Sequence, residues 1–223
     1  MGNRAYNVSE VSVVHRGSIF RMVGMLIGCS RFTGTQAQID ETIGAVAAIA
    51  KQCNGGALEF SRNAEEQVQL WSARKQALWS MLALRKGDEA VWSTDVAVPL
   101  SRLAELVELS KNDMDDLGMF AMVLGHIGDG NFHESIVFDP KDTAQVQKVA
   151  ACVQRMVDRA IAMEGTCTGE HGIGIGKKNF LLEELGPSAV DTMRKLKGSL
   201  DPYWVMNPGK IFDHACEDNP VGH

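Results

Sequence analysis

Apolar residues recur along this chain with two periods, and the switches between them outline its elements. Met22–Thr33 is a short apolar run and predicts a strand. Thr35 and Gln38 have the spacing of a capping box. Behind them Ile39, Ile43, Val46, Ile49 and Cys53 recur at helical spacing until Gly55-Gly56 stops the pattern. Ala57–Ser61 predicts a short strand. Asn63 then caps a second helix, with Glu66 three residues on; it carries Leu70, Trp71, Leu78 and Leu82 and ends near Gly87. Ala90–Val98 alternates and is rich in β-formers, so it predicts one strand. Pro99 opens a helix through Leu103, Leu106 and Leu109. Strands over Met119–Ile127 and Asn131–Phe138 follow, then a helix opened by Asp139-Pro140 and running to about Met163. A Gly-rich loop, Gly165–Gly176, leads into a helical tail holding Phe180, Leu181, Leu185 and, past Gly186-Pro187, Val190, Met193 and Leu196. This order predicts an α+β fold: a largely antiparallel sheet with helices packed on one face, followed by a helical C-terminal tail.

One hairpin changes the picture from fold to chemistry. In Gly125-His-Ile-Gly-Asp-Gly-Asn-Phe-His133, Asp129-Gly130 is the preferred pair for a two-residue type I′ turn. That turn would set His126 directly opposite His133 on one face, with Ile127, Phe132, Val123 and Ile136 on the other. Two neutral imidazoles side by side can share a divalent ion. The pattern alone also admits two histidines on a solvated sheet face.

The second unusual stretch is Gly165-Thr-Cys-Thr-Gly-Glu-His-Gly-Ile-Gly-Ile-Gly176. Glycine lets main chain approach a ligand closely. Glu170 would complete a two-His-one-carboxylate set with open positions, suited to Zn, Mn or Fe(II). His171 beside it would be a free general base. Read alone, the pair is equally a solvated loop tip. The end of this loop is not a phosphate-binding loop, because His171 and Lys178 stand where Gly and Ser/Thr are required.

Composition narrows the classes. The chain has 223 residues, 22 Lys+Arg against 28 Asp+Glu and a net charge of −6, so it is a poor nucleic-acid binder. The longest early apolar stretch, Met22–Cys29, is too short for a transmembrane span. Residues 1–21 carry Arg4, Arg16 and Arg21 against Glu10, a weak organelle-targeting composition. Five cysteines, Cys29, Cys53, Cys152, Cys167 and Cys216, without a Cys-x-x-Cys, predict free core thiols and a reducing compartment.

At these motifs the sequence resembles a known family. Residues 125–133, residues 165–174 and Asn207-Pro-Gly-Lys-Ile211 look like the C-terminal domain of FAD-linked 2-hydroxy-acid dehydrogenases, vanillyl-alcohol-oxidase-like flavoproteins. Leu70-Trp-Ser-Ala-Arg-Lys75 and Trp92-Ser-Thr-Asp-Val-Ala-Val-Pro99 match too, nearest to the cytochrome-linked D-lactate branch. The resemblance runs from about Met25 to Phe212. It implies a cap domain that covers a flavin, with His126, His133 and Glu170 holding a divalent metal, Zn or Mn. It implies that His171 takes the hydroxyl proton while hydride passes to FAD, and that Arg74 binds the substrate carboxylate. Asn207 and Lys210 would touch the flavin or the facing domain. Relatives acting on 2-hydroxyglutarate carry polar residues where this chain has Leu78, Ser93 and Ser135. That favours a small monocarboxylate such as D-lactate or glycolate, oxidised to the 2-oxo acid (pyruvate from D-lactate).

The expected organisation is an unmatched segment 1–21, the FAD-linked oxidase C-terminal domain over 22–212 and a tail over 213–223. The FAD-binding domain is expected to be missing from this chain, which would bind metal but not hold FAD tightly. The expected partners are a small 2-hydroxy acid, an FAD-binding domain or subunit, and an electron acceptor such as cytochrome c. The expected location is mitochondrial in a eukaryote, otherwise cytoplasmic or membrane-peripheral. Two other readings stay open: a non-catalytic metal-binding fragment or subunit that needs a separate flavin subunit, and a metal-dependent hydrolase using Glu170 and His171.

Overall fold

The computed structural model describes residues 9–17, 26–53, 55–61 and 63–214, some of them, Arg74 included, by main chain alone. Two compact units divide at Leu84 and Arg85. The first is a three-stranded antiparallel sheet in the order β2-β1-β3, built from β1 (Ser9–Gly17), β2 (Leu26–Gly34) and β3 (Gly55–Ser61). Helix α1 (Gln36–Gln52) and helix α2 (Ala64–Leu82) accompany it. The capping box forms: the Thr35 hydroxyl accepts from the Gln38 N–H at 3.4 Å, and Gln38 Oε1 accepts from the Thr35 N–H at 2.9 Å. Strand β1 was not among the elements expected from the apolar pattern, yet it is the central strand, pairing Val11 with Phe32 and Val13 with Phe60. Its signal is only a Ser/Val alternation, which needs partners on both sides to become a strand. Arg74 lies on α2, and its side chain is outside the described residues.

The second unit is built around β7 (Asn131–Phe138), whose eight residues are all buried. It pairs on one side with β6 (Ala121–His126) and on the other with β4 (Ala90–Ser93) and β5 (Val96–Ala97), all antiparallel. Helices α3 (Leu100–Leu117) and α4 (Thr143–Ala162) cover one face. Phe132 packs there with Leu106 and Met156, and Ile136 with Met114 and Val153. So the predicted antiparallel sheet with helices on one face is present. The expected single strand Ala90–Val98 is interrupted at Thr94-Asp95. The Thr94 hydroxyl accepts from the Glu134 N–H at 2.8 Å, a donor that a regular ladder would use. The register is the same on both sides of the gap, so Asp95 lies across from His133.

One further boundary differs from expectation, whereas the helical tail broken at Gly186-Pro187 is as expected. Helix α4 is capped by Asp142, whose carboxylate accepts from the N–H groups of Ala144 and Gln145, and not by Asp139. Asp139 instead takes the Lys141 N–H and closes the turn before it. The tail is helix α5 (Lys178–Leu200), kinked where Gly186 takes φ 75° ahead of Pro187.

One residue on the helix-covered face breaks the apolar pattern. Glu134 is 0 % exposed, and neither carboxyl oxygen has a hydrogen-bond partner among the described residues. Burial, and then the charge of Asp113, push its carboxyl up to about 8, with Arg159 opposing. Asp113 itself is tied to Arg155 at 3.0 Å and Arg159 at 2.6 Å.

Candidate metal centre

The face of β6 and β7 away from the helices carries His126, Asn131 and His133. The hairpin is not the two-residue turn expected from Asp129-Gly130. Ile127–Asp129 form one 3-10 turn and Gly130 closes it at φ 68°. The Gly130 N–H donates to Ile127 O at 3.2 Å, and its carbonyl accepts from the Val98 N–H at 3.0 Å. A Cβ at Gly130 would lie 2.1 Å from Val98 O, so the contact with the neighbouring strand fixes the longer loop. His126 therefore opposes Asn131 and not His133. The register differs by two residues, which leaves every side chain on its expected face. The histidines stay together, ring centroids 5.8 Å apart. Ile127, expected in the core, is 62 % exposed on the loop.

The Gly-rich loop reaches this face along β5. Ala97 and Thr166 exchange main-chain hydrogen bonds at 3.2 and 2.8 Å. Two glycines make the approach possible. A Cβ on Gly165 would meet Ala97 O at 2.3 Å, and one on Gly169 would meet the Asn131 side-chain amide at 2.1 Å. Glu170 then projects between the imidazoles. Its Oε1 lies 3.0 Å from His133 Nε2, 3.3 Å from His126 Nε2 and 3.7 Å from His171 Nε2. The His171 ring stacks on that of His133, centroids 4.7 Å apart and planes within 4°. His126, Glu170 and His171 are half exposed, whereas the His133 side chain is 11 % exposed.

The donor chemistry suits a divalent cation. His133 Nδ1 lies 3.1 Å from the carbonyl oxygen of Thr94, which can only accept. Nδ1 therefore donates to that oxygen and leaves Nε2 as the ring atom that faces Glu170, the arrangement that orients a metal-ligating histidine. His126, His133 and Glu170 each offer one ligand atom, all within 4.8 Å of one another. Asp95, His133 and His171 likewise bring one ligand atom each within 4.8 Å of the others. That second set is closed, because Asp95 is already engaged by five donor groups while a carboxylate has about four acceptor positions. Burial raises the Asp95 carboxyl, but hydrogen bonds from His171, Asn131, Glu170 and Thr168 outweigh it and hold the group well below the usual carboxylate range.

Thus four expected residues, His126, His133, Glu170 and His171, come together in one unit. Asn207 and Lys210 lie in the exposed turn after α5, where the Lys210 N–H donates to Asn207 O at 3.3 Å. The Ile211 N–H donates to Gly174 O at 2.6 Å, tying this turn to the end of the Gly-rich loop. Sequence reasoning gave no role to Thr94, Asp95 or Asn131. The available signal was a polar Thr-Asp pair inside a run of β-formers. Of the cysteines, Cys152 and Cys167 are buried as expected and Cys53 is exposed, contrary to it. Cys29 is described by main chain alone and Cys216 lies outside the described residues. Among the described residues no helix is long and apolar enough to cross a membrane.

Comparison with known proteins sets this chain in one domain family. The family of FAD linked oxidases, C-terminal domain, matches residues 11–211, and the chain belongs to it. It is 45 % identical over 186 residues to the mitochondrial D-lactate dehydrogenase [cytochrome] of Arabidopsis thaliana, covering 83 % of this chain and 33 % of that protein. It is 43 % identical over 182 residues to the probable mitochondrial D-lactate dehydrogenase of Danio rerio, covering 82 % and 36 %. The chain thus spans about a third of the length of these curated relatives. Among solved structures, p-cresol methylhydroxylase shares the fold with a TM-score of 0.60 at 14 % identity, over 93 % of this chain and 48 % of that one.

Proposed function

We propose that this chain is the substrate- and metal-binding catalytic domain of an FAD-dependent D-2-hydroxy-acid dehydrogenase that oxidises D-lactate to pyruvate. The observation that carries the reading is the convergence of three imidazole Nε2 atoms on Glu170 Oε1, with the His133 tautomer set by Thr94. His126, His133 and Glu170 hold the cation. His171, half exposed and facing the same point, accepts the 2-hydroxyl proton on Nε2. Bound there, a divalent cation supplies Lewis acidity toward that hydroxyl, and FAD on a separate domain supplies the hydride acceptor. The chain's likeness to mitochondrial D-lactate dehydrogenases, one of them cytochrome-linked by name, supports D-lactate as substrate, a cytochrome as electron acceptor and a mitochondrial location. Ser93 and Ser135, paired across β4 and β7, offer no cation to a second carboxylate. For Arg74 as the carboxylate-binding group, and for Asn207 and Lys210 toward the flavin, the support is the sequence resemblance.

The test is metal analysis of the purified chain together with a D-lactate-to-dye assay in which an FAD-binding domain is supplied in trans. His126→Ala and His133→Ala should each strip the metal. His171→Ala should keep it and lose about two to four orders of magnitude in turnover, the usual contribution of a general base. Metal retained in both hairpin variants would sink the ligand assignment. Metal with no turnover in trans would favour a non-catalytic metal-binding domain. Stoichiometric yellow flavin on the isolated chain would overturn the placement of FAD on another domain.

A further inference from the structure

Asp95 is 1 % exposed and sits between the two arms of the site. Its Oδ1 accepts from the Asn131 side-chain amide at 2.9 Å and from the Glu170 N–H at 3.1 Å. Its Oδ2 accepts from the His171 N–H at 2.8 Å, the Thr168 hydroxyl at 2.9 Å, the Glu170 N–H at 3.1 Å and Lys177 Nζ at 3.2 Å. The Asp95 carbonyl also accepts from the Gly169 N–H at 3.1 Å. Three consecutive N–H groups of the loop, at 169, 170 and 171, therefore end on one residue of the sheet. That residue faces His133 across the strand gap. The loop has no other main-chain tie to the sheet beyond the Ala97–Thr166 bridge among the described residues.

We propose that Asp95 is the positioning residue of this site: it clamps the main chain of Glu170 and His171 against β7, and thereby sets metal affinity and the alignment of the base. This rests on the metal-site reading above. Asp95 does not touch the cation, since its acceptor positions are filled by the loop. Its partners are all donors, so Asp95→Asn places an amide N–H against a main-chain N–H whichever way the side chain is turned. The loop must then back away, and Glu170 leaves the ligand set while His126 and His133 stay on their strands.

The experiment uses Co²⁺ as a coloured probe in the 223-residue chain. Wild type should show one Co²⁺ per chain with a ligand-field band. Asp95→Asn should bind Co²⁺ about ten- to a hundredfold more weakly, the usual loss on removing an outer-shell partner. Its band should move to that of Glu170→Ala. A residue that only stabilised the fold would lower the folded fraction and leave the band of the folded molecules unchanged. If wild type binds no Co²⁺, the metal-site reading fails, and the proposal with it. If wild type binds and Asp95→Asn keeps wild-type affinity and band, the proposal alone is overturned. Should Asp95→Asn lose its near-ultraviolet dichroism, Thr168→Val, which deletes one clamping donor, decides. A severalfold weaker Co²⁺ affinity supports the clamp, and affinity within twofold of wild type overturns it.

Discussion

Replacing Glu134 by Gln tests the electrostatics of the sheet that carries the site. The carboxyl is fully buried on the helix-covered face, has no hydrogen-bond partner among the described residues and holds its proton up to about pH 8. In the unfolded chain the same group releases it near 4.5. Between those values the folded state binds more protons than the unfolded one, so this group's contribution to stability falls as pH rises from 4.5 and levels off above about 8. At about 1.4 kcal/mol per pH unit, the wild type loses roughly 1 kcal/mol by pH 5 and roughly 3 kcal/mol by pH 7. The full loss approaches about 5 kcal/mol at higher pH. Glutamine has nearly the same shape and no proton to lose, so its variant escapes this slope.

The assay is denaturant unfolding of both proteins at pH 5, 6, 7 and 8, read as the difference between them at each pH. Groups that do not interact with Glu134 cancel in that difference, and its ionisable neighbours Asp113 and Cys152 titrate outside this pH range. Asp95, whose carboxyl lies well below the usual range, loses its stabilisation only at pH values below this window. The variant should be near wild type at pH 5 and more stable by several kcal/mol at pH 8. A difference that stays flat across the range would refute the reasoning, because it would mean that the Glu134 carboxyl is ionised and compensated in the folded state.

Gly169→Ala should cost about 1–3 kcal/mol and lower metal affinity, because the new methyl would overlap the buried Asn131 amide that Asp95 holds. Gly172→Ala is its control: φ 75° strains the new residue by about 1–2 kcal/mol, but nothing lies within 4 Å and the metal site should be unaffected. Thermal unfolding and a Zn²⁺ titration of both variants read the contrast. Thiol labelling at pH 8, mapped by mass spectrometry, should modify Cys53 in the native protein and reach Cys152 and Cys167 only after denaturation. Burial first, then the charge of Glu134, pushes the Cys152 thiol up to about 11; burial first, then Glu184, pushes Cys167 up to about 12.

What the sequence disclosed follows the range over which each feature is decided. The Thr35–Gln38 capping box needs only two residues three positions apart to agree, and it forms as expected. At the start of helix α4 the sequence pointed to Asp139, but Asp139 accepts from the Lys141 N–H and Asp142, three residues on, caps the helix. The hairpin turn also departs from its local preference. Asp129-Gly130 favours a tight turn locally, but the Val98–Gly130 contact, more than thirty residues apart in the chain, imposes a longer one. The two histidines nevertheless stayed on one face, since an error of two in register preserves the alternation on which that inference depended. Strand β1 was missed because its residues carry little local preference and it is a strand only by virtue of β2 and β3.

The same distinction explains which parts of the site were legible. The chemistry-bearing groups come as local pairs, His126 with His133 and Glu170 with His171, so their spacing is visible in a short window. What assembles them is a contact between residues 75 positions apart, from Asp95 to the Glu170 N–H. The only local signal for that aspartate is the polar Thr94-Asp95 pair inside a run of β-formers, and it does not tell which groups the carboxylate meets. The glycines carried part of the message. Their number in the loop implied close approach of main chain to something. The partners turn out to be protein, since Gly165 lies against the Ala97 carbonyl and Gly169 against Asn131. Close packing there brings Glu170 within 3.3 Å of both hairpin histidines. The glycine-rich loop is thus closely packed against the sheet at Gly165 and Gly169, and the single methyl of Gly169→Ala tests that packing.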